Sequence, residues 1–148
     1  MEELKKTKIL LPLSLKTERK ILVKGLAIIG GFQNPFITVF HIIELPVTAA
    51  LDIKEHKLKV KEVENKLKPI VKWIEAQSFK VRIRIVVSRH ISDAIVEEAR
   101  IGGYDLVVLT KRKPPQGIGR ILYRSHTDYV TGKIDCPALI LMDRDSVD

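Results

Sequence analysis

The sequence predicts an α/β domain in three layers, a five-stranded parallel sheet with helices on both faces. Three observations carry this expectation. Apolar runs of strand length alternate with segments of helical spacing from one end to the other. Glycine pairs and prolines mark the joins between them. Each spacer is long enough to be a crossover helix, and strands joined by crossovers run parallel.

Ile9-Leu10-Leu11 is a short apolar run closed by Pro12, a candidate buried strand. Thr17 and Glu18 open a segment in which Ile21, Leu22, Gly25, Leu26 and Ile29 recur at helical spacing. The acid suits the positive end of the helix dipole. Gly30-Gly31 is expected to end this helix by adopting the left-handed conformation. Phe36 to Ile43, rich in β-branched and aromatic residues, predicts a second strand stopping before Pro46. From about Ala50 to Ala76, Val60, Val63, Leu67, Ile70 and Ile74 form a helical stripe with lysines opposite. Pro69 removes a backbone hydrogen bond from this segment, which predicts a kink or a break.

Val81 to Ile85 alternates strictly, with Arg82 and Arg84 expected on the wet face of an edge strand. A helix from about Ser92 turns Ile95, Val96 and Ala99 inward and closes at Gly102-Gly103. Asp105 to Leu109 is the clearest strand in the chain. A basic loop then leads to a helix around Ile121 to Val130. Cys136-Pro137 introduces the last strand, Ala138 to Met142. The doublets Ile29-Gly30-Gly31-Phe32 and Ile101-Gly102-Gly103-Tyr104 echo each other without establishing a duplication. No linker divides the chain, so residues 1–148 form one domain.

Composition narrows the function. The 148 residues are 45% apolar and 30% charged, the balance of a water-soluble globular protein. No run is long enough to cross a bilayer and no apolar signal region follows Met1. With a single cysteine there is no internal disulfide, and a cytoplasmic location is expected. His41, His56, His90 and His126 are scattered and show no metal-ligand spacing. The net charge of +8 favours anionic partners without naming one. Four Phe, one Trp and three Tyr do not supply an aromatic platform for single strands, so no specific nucleic acid is expected.

Ligands of open parallel sheets bind at the carboxyl ends of the strands, where strand order reverses. This directs attention to Pro12 and Ser14, to Ile42 at the end of strand two, and to Thr110 onward. Between Asp105 and Asp128 lie Lys111, Arg112, Lys113, Arg120 and Arg124, with no acid among them. Such a cluster either holds phosphate through arginine forks and lysine point charges or is a solvated basic loop. Both alternatives stay open on sequence alone.

From Asp105 onward the layout resembles the universal stress protein family. Its members carry a strand beginning with Asp, then Gly, two residues, Gly, nine residues, Gly and Ser or Thr, and later Cys-Pro before a final strand. Asp105 to Thr110 is similar to that strand, and Asp135 to Leu141 to that ending. Lys8 to Pro12 and His41-Ile42-Ile43 are similar as well, so the resemblance spans nearly the whole chain. With Ser125 on the family's Ser or Thr, the three glycines fall on Lys111, Pro114 and Arg124. The family's aspartate after strand one falls on Ser14. Side chains and a proline thus replace the bare amides that would wrap a triphosphate.

The resemblance implies a doubly wound sheet of the adenine nucleotide alpha hydrolase type and a homodimer formed through Ala138, Leu139, Ile140, Leu141 and Met142. It implies a regulatory or stress-response domain that is not an enzyme and does not hold ATP in the usual way. The alternatives are an accessory domain acting with a membrane transporter, or a protein binding an adenine nucleotide or phosphate through Lys111, Arg120 and Arg124. Cys136 is expected to be an inert small hydrophobe, with Asp135 raising its pKa. His41 and Trp73 are expected to be packing residues. Ser125, His126 and Asp128, neighbours on one helix, are not expected to form a hydrolytic triad.

Overall fold

The computed structural model describes residues 5–46, 53–112 and 126–143. In chain order these form β1 (Thr7–Pro12), α1 (Arg19–Ile29), β2 (Pro35–Glu44), α2 (Ile53–Ala76), β3 (Lys80–Ser88), α3 (Ile91–Ile101), β4 (Leu106–Arg112), α4 (His126–Thr131) and β5 (Ala138–Asp143). All strand pairs are parallel, in the order β3-β2-β1-β4-β5. The chain winds outward through β2 and β3, returns to the far side of β1 with β4, and ends at β5. Strand order therefore reverses between β1 and β4.

Alternation along each strand divides the core. Ile9, Leu11, Ile37, Val39 and Val108 face α1 and α2, where Ile21, Leu22, Leu26, Ile29, Val63, Leu67, Val71 and Ile74 cover them. Leu10, Phe40, Ile42, Val107 and Leu109 face the other way, against Ile95, Ala99, Tyr104 and Val130. Burial on both faces explains why β1 reads as an unbroken apolar run. Asp105 precedes β4 and ties it to β1. Its backbone N–H donates to Lys8 O at 2.8 Å, and its Oδ2 accepts from the Lys8 N–H at 2.8 Å.

Three expectations need correction. Glu18 is the residue before α1, not an acid within its first turn; it makes no side-chain cap and pairs with Lys20 at 3.3 Å. Gly30 closes α1 in right-handed geometry, φ −60°. A Cβ there would meet Leu26 O at 3.3 Å, a tight approach. The left-handed argument holds instead at Gly103, φ 63°. Third, the chain does not break at Pro69, since α2 runs continuously through it. Pro69 is exposed, so water can solvate the carbonyl one turn back that loses its donor, while Leu67 and Val71 anchor the helix on either side.

The expectation for β3 holds. It is an edge strand with Arg82 and Arg84 exposed on its wet face, as the alternation predicts, and both also bond to groups further in. Arg82 Nε donates to Thr38 Oγ1 at 2.8 Å, and Arg84 Nε donates to Glu98 Oε1 at 2.7 Å. Thr38 is wholly buried and Glu98 nearly so, and these bonds satisfy polar groups that burial would otherwise leave unmade. The expected starts of α2 near Ala50 and of the last helix near Ile121 lie outside the described residues. Among those residues, no helix is long and apolar enough to cross a membrane.

Candidate functional site at the strand-order reversal

The main chain is held firmly as it leaves β1. Leu13 N–H donates to Phe40 O at 2.9 Å, extending the ladder one residue beyond Pro12. Its carbonyl accepts from His41 Nδ1 at 2.7 Å, which fixes that imidazole as the Nδ1–H tautomer and makes His41 a packing residue, as expected. Ser14 is the first residue beyond this anchor. Its Oγ accepts from the Lys16 N–H at 3.2 Å and lies 3.3 Å from Thr17 Oγ1, so the hydroxyl closes the turn into α1. An aspartate here would present a charge to a ligand; this serine is occupied by its own loop.

Ser14 and Thr110 meet across the reversal. With Lys16, Thr17, Glu18, Ile21 and Asp143 they line a crevice of about 40 Å³. A water needs roughly 10–15 Å³ of such space, so the crevice has room for a few waters. Small-molecule sites run to about 300–1,000 Å³.

Beyond Thr110 the end of β4 is fastened to α4. Thr127 Oγ1 donates to Thr110 O at 3.0 Å, and Lys111 Nζ donates to Asp128 Oδ1 at 2.9 Å. The Lys111 side chain is only 25% exposed, against 65% for Asp128. Lys111 thus fills the first glycine position of the motif and brings a carboxylate with it. α4 is fastened in turn to α3. Tyr129 O–H donates to Asp93 Oδ1 at 2.5 Å, which pushes the phenol pKa up, and Ser92 Oγ lies 2.5 Å from His126 Nδ1. A hydroxyl beside an imidazole has the outline of a nucleophile and base, but a hydrolytic triad also needs a group that orients the imidazole. Asp128, the acid nearest in sequence, is engaged by Lys111 instead.

Of the predicted site residues, the structure brings Pro12, Ser14, Thr110 and Lys111 to one end of the sheet. Ile42 reaches the same end, two residues beyond the Phe40 that pairs with Pro12, but its side chain is buried under α3 on the opposite face from the crevice. Lys113, Pro114, Arg120, Arg124 and Ser125 lie outside the described residues. Nothing in the spacing of the sequence pointed to Asp128 or Ser92 as partners, since both bonds join residues far apart in the chain. Among the described residues no three His, Cys, Asp or Glu side chains converge on a metal position.

At the other edge of the motif, Cys136 is half-buried and its thiol pKa is raised, first by burial and then by Asp135 and Asp105. On β5, Leu139 and Leu141 turn inward, while Ala138, Ile140 and Met142 stand exposed along the free edge.

Comparison with known proteins follows the same lines. A sequence model of the universal stress protein family matches residues 6–141. No curated protein matches the chain in sequence. Among solved structures, hypothetical protein MJ0577 superposes with a TM-score of 0.73 at 23% identity, covering 95% of this chain and 98% of that one. UspA from Lactobacillus plantarum gives 0.67 at 14% identity, with 91% and 97% covered. A universal stress protein in complex with cAMP gives 0.65 at 16% identity, with 92% and 96% covered.

Proposed function

The chain belongs to the universal stress protein family, and from that premise we propose that it is a non-catalytic regulatory domain that does not hold ATP in the family's usual way. One observation carries the reading. Lys111, on the motif's first glycine position, is clamped to Asp128 between β4 and α4, so a side chain and a carboxylate stand where bare amides would meet phosphate. A carboxylate near that path repels a polyphosphate, and the approach of the main chain is lost. The small crevice and the occupied Ser14 hydroxyl support the same reading on the nucleoside side.

Calorimetry with ATP, AMP and cAMP, beside native mass spectrometry of freshly purified protein, tests it. The expected result is no ATP heat below millimolar concentration and no co-purifying nucleotide. Micromolar ATP affinity overturns it.

A second reading is favoured by the relative solved in complex with cAMP. A nucleotide with one phosphate, or phosphate itself, is held by Lys111, Arg120 and Arg124 through charge in place of amides. Replacing these three with alanine then abolishes binding of cAMP or phosphate. Retained binding refutes it.

The domain acts as a cytoplasmic homodimer paired through β5. The exposed row Ala138, Ile140 and Met142 on an unpaired, apolar edge strand supports this, because such an edge is otherwise a template for aggregation.

A further inference from the structure

The two helical layers carry opposite charge. α1 and α2 together bear ten basic and four acidic side chains; α3 and α4 bear one basic and four acidic. On α2 the buried stripe Val63, Leu67, Val71 and Ile74 faces the sheet. Directly opposite, Lys54, Leu58, Lys61, Asn65, Lys68 and Lys72 recur at alternating steps of four and three, which places them on one outward line. At 1.5 Å per residue that line is about 27 Å long. Lys57 flanks it. α1 lies beside α2, with the Arg19 guanidinium 5.7 Å from the centre of the Trp73 ring. Its outward residues are Lys20, Val23, Lys24 and Ala27.

We propose that this α1/α2 layer is a docking face for an anionic phospholipid surface. Charge complementarity selects an anionic partner. The apolar side chains select among anionic partners. Leu58 stands 71% exposed within the lysine line and Val23 53% exposed between the lysines of α1. Against a phosphodiester backbone such groups gain nothing, whereas at a bilayer they enter the boundary between headgroups and acyl chains. Lysine stems also snorkel, laying their methylenes along apolar surface with the ammonium at headgroup level.

Vesicle co-sedimentation of the full chain tests this, with phosphatidylcholine alone, phosphatidylcholine with 30% phosphatidylglycerol, and a DNA duplex as competitor. Binding to the anionic vesicles at 50 mM salt, its loss at 500 mM, and none to neutral vesicles are expected. Each lysine is worth roughly five-fold in partitioning, so Lys61→Glu with Lys68→Glu weakens it at least about twenty-fold. The equally charged control, Arg100→Glu with Lys133→Glu on the opposite side, changes it by less than about three-fold. Leu58→Gln weakens binding several-fold at unchanged charge. The proposal is overturned if the control loses as much as the α2 pair, if Leu58→Gln has no effect, or if duplex binds in preference to vesicles. Circular-dichroism melts of each variant separate these outcomes from misfolding.

Discussion

Replacing Tyr104 with phenylalanine tests whether the polar cluster between α3 and the β2/β3 side of the sheet contributes to stability. Tyr104 is 6% exposed, and its hydroxyl donates to Glu98 Oε2 at 2.7 Å. Arg84 holds the other carboxylate oxygen, and Arg82 reaches the phenol oxygen at 3.3 Å. Tyr104→Phe removes one donor from a nearly buried carboxylate and leaves the packing unchanged. A hydrogen bond to a charged group contributes about 1.5–3 kcal/mol, so the expected loss is about 2 kcal/mol. For a chain of this size that lowers Tm by roughly 6 °C. Urea unfolding followed by circular dichroism measures it as a lower midpoint at constant slope.

The pH dependence supplies a second readout. Burial first, and then the Glu98 bond, raise the Tyr104 pKa above its ordinary 10.0. A raised pKa means that the native state holds its proton more tightly than the unfolded chain. The resulting stability is complete below pH 10 and is lost as pH rises through the native value. The phenylalanine variant has no such loss, so the gap between the two proteins narrows above pH 10. A loss under about 0.5 kcal/mol at pH 7, or a gap that widens with alkali, refutes the account.

Three further outcomes follow from the geometry. Pro69→Ala restores a helical donor on an exposed face of α2 and raises stability by about 2 kcal/mol, within the proline penalty of a helix interior; an unchanged melt means that the helix has fully accommodated the ring. At Gly102 a Cβ would sit 2.2 Å from Tyr104 Cε2 and 2.9 Å from Glu98 O, whereas at Gly103 it meets nothing within 4 Å and only the left-handed φ of 63° opposes it. Gly102→Ala therefore costs about 3 kcal/mol and Gly103→Ala about 1 kcal/mol, and the reverse order by thermal melts contradicts the contacts. Cys136, with its thiol pKa raised above 9.0, reacts with iodoacetamide at pH 7.5 several-fold more slowly than glutathione; equal rates, followed by mass spectrometry, sink that expectation.

Features written in local periodicity were legible in the sequence. The apolar runs of β1 and β4 are buried strands because both of their faces are covered, β5 is apolar but buries only one face, and the strict alternation at Val81 to Ile85 is the sheet edge. The place of the crevice followed from topology alone. What the sequence did not show depends on residues brought together across the fold. Arg82 and Arg84 alternate like solvated charges, and only the position of α3 reveals Glu98 and Tyr104 as their partners. Ser92 and His126 lie 34 residues apart. Asp105 marked a strand start in the sequence, but its two bonds to Lys8 make it the lock between β1 and β4. Pro69 does not break α2 because propensity speaks for the isolated helix, while packing on either side of the ring decides the folded one.

Leu141 rests against Gly25 so closely that a methyl group on that glycine would come within 2.7 Å of its Cδ1. The last strand is therefore keyed into the first helix like a pin in a notch. A shift by one residue would offer Ile140 or Met142 to the notch and throw Leu141 into water. Which side chains the last strand presents at its outer rim is thus settled by the packing of the first helix.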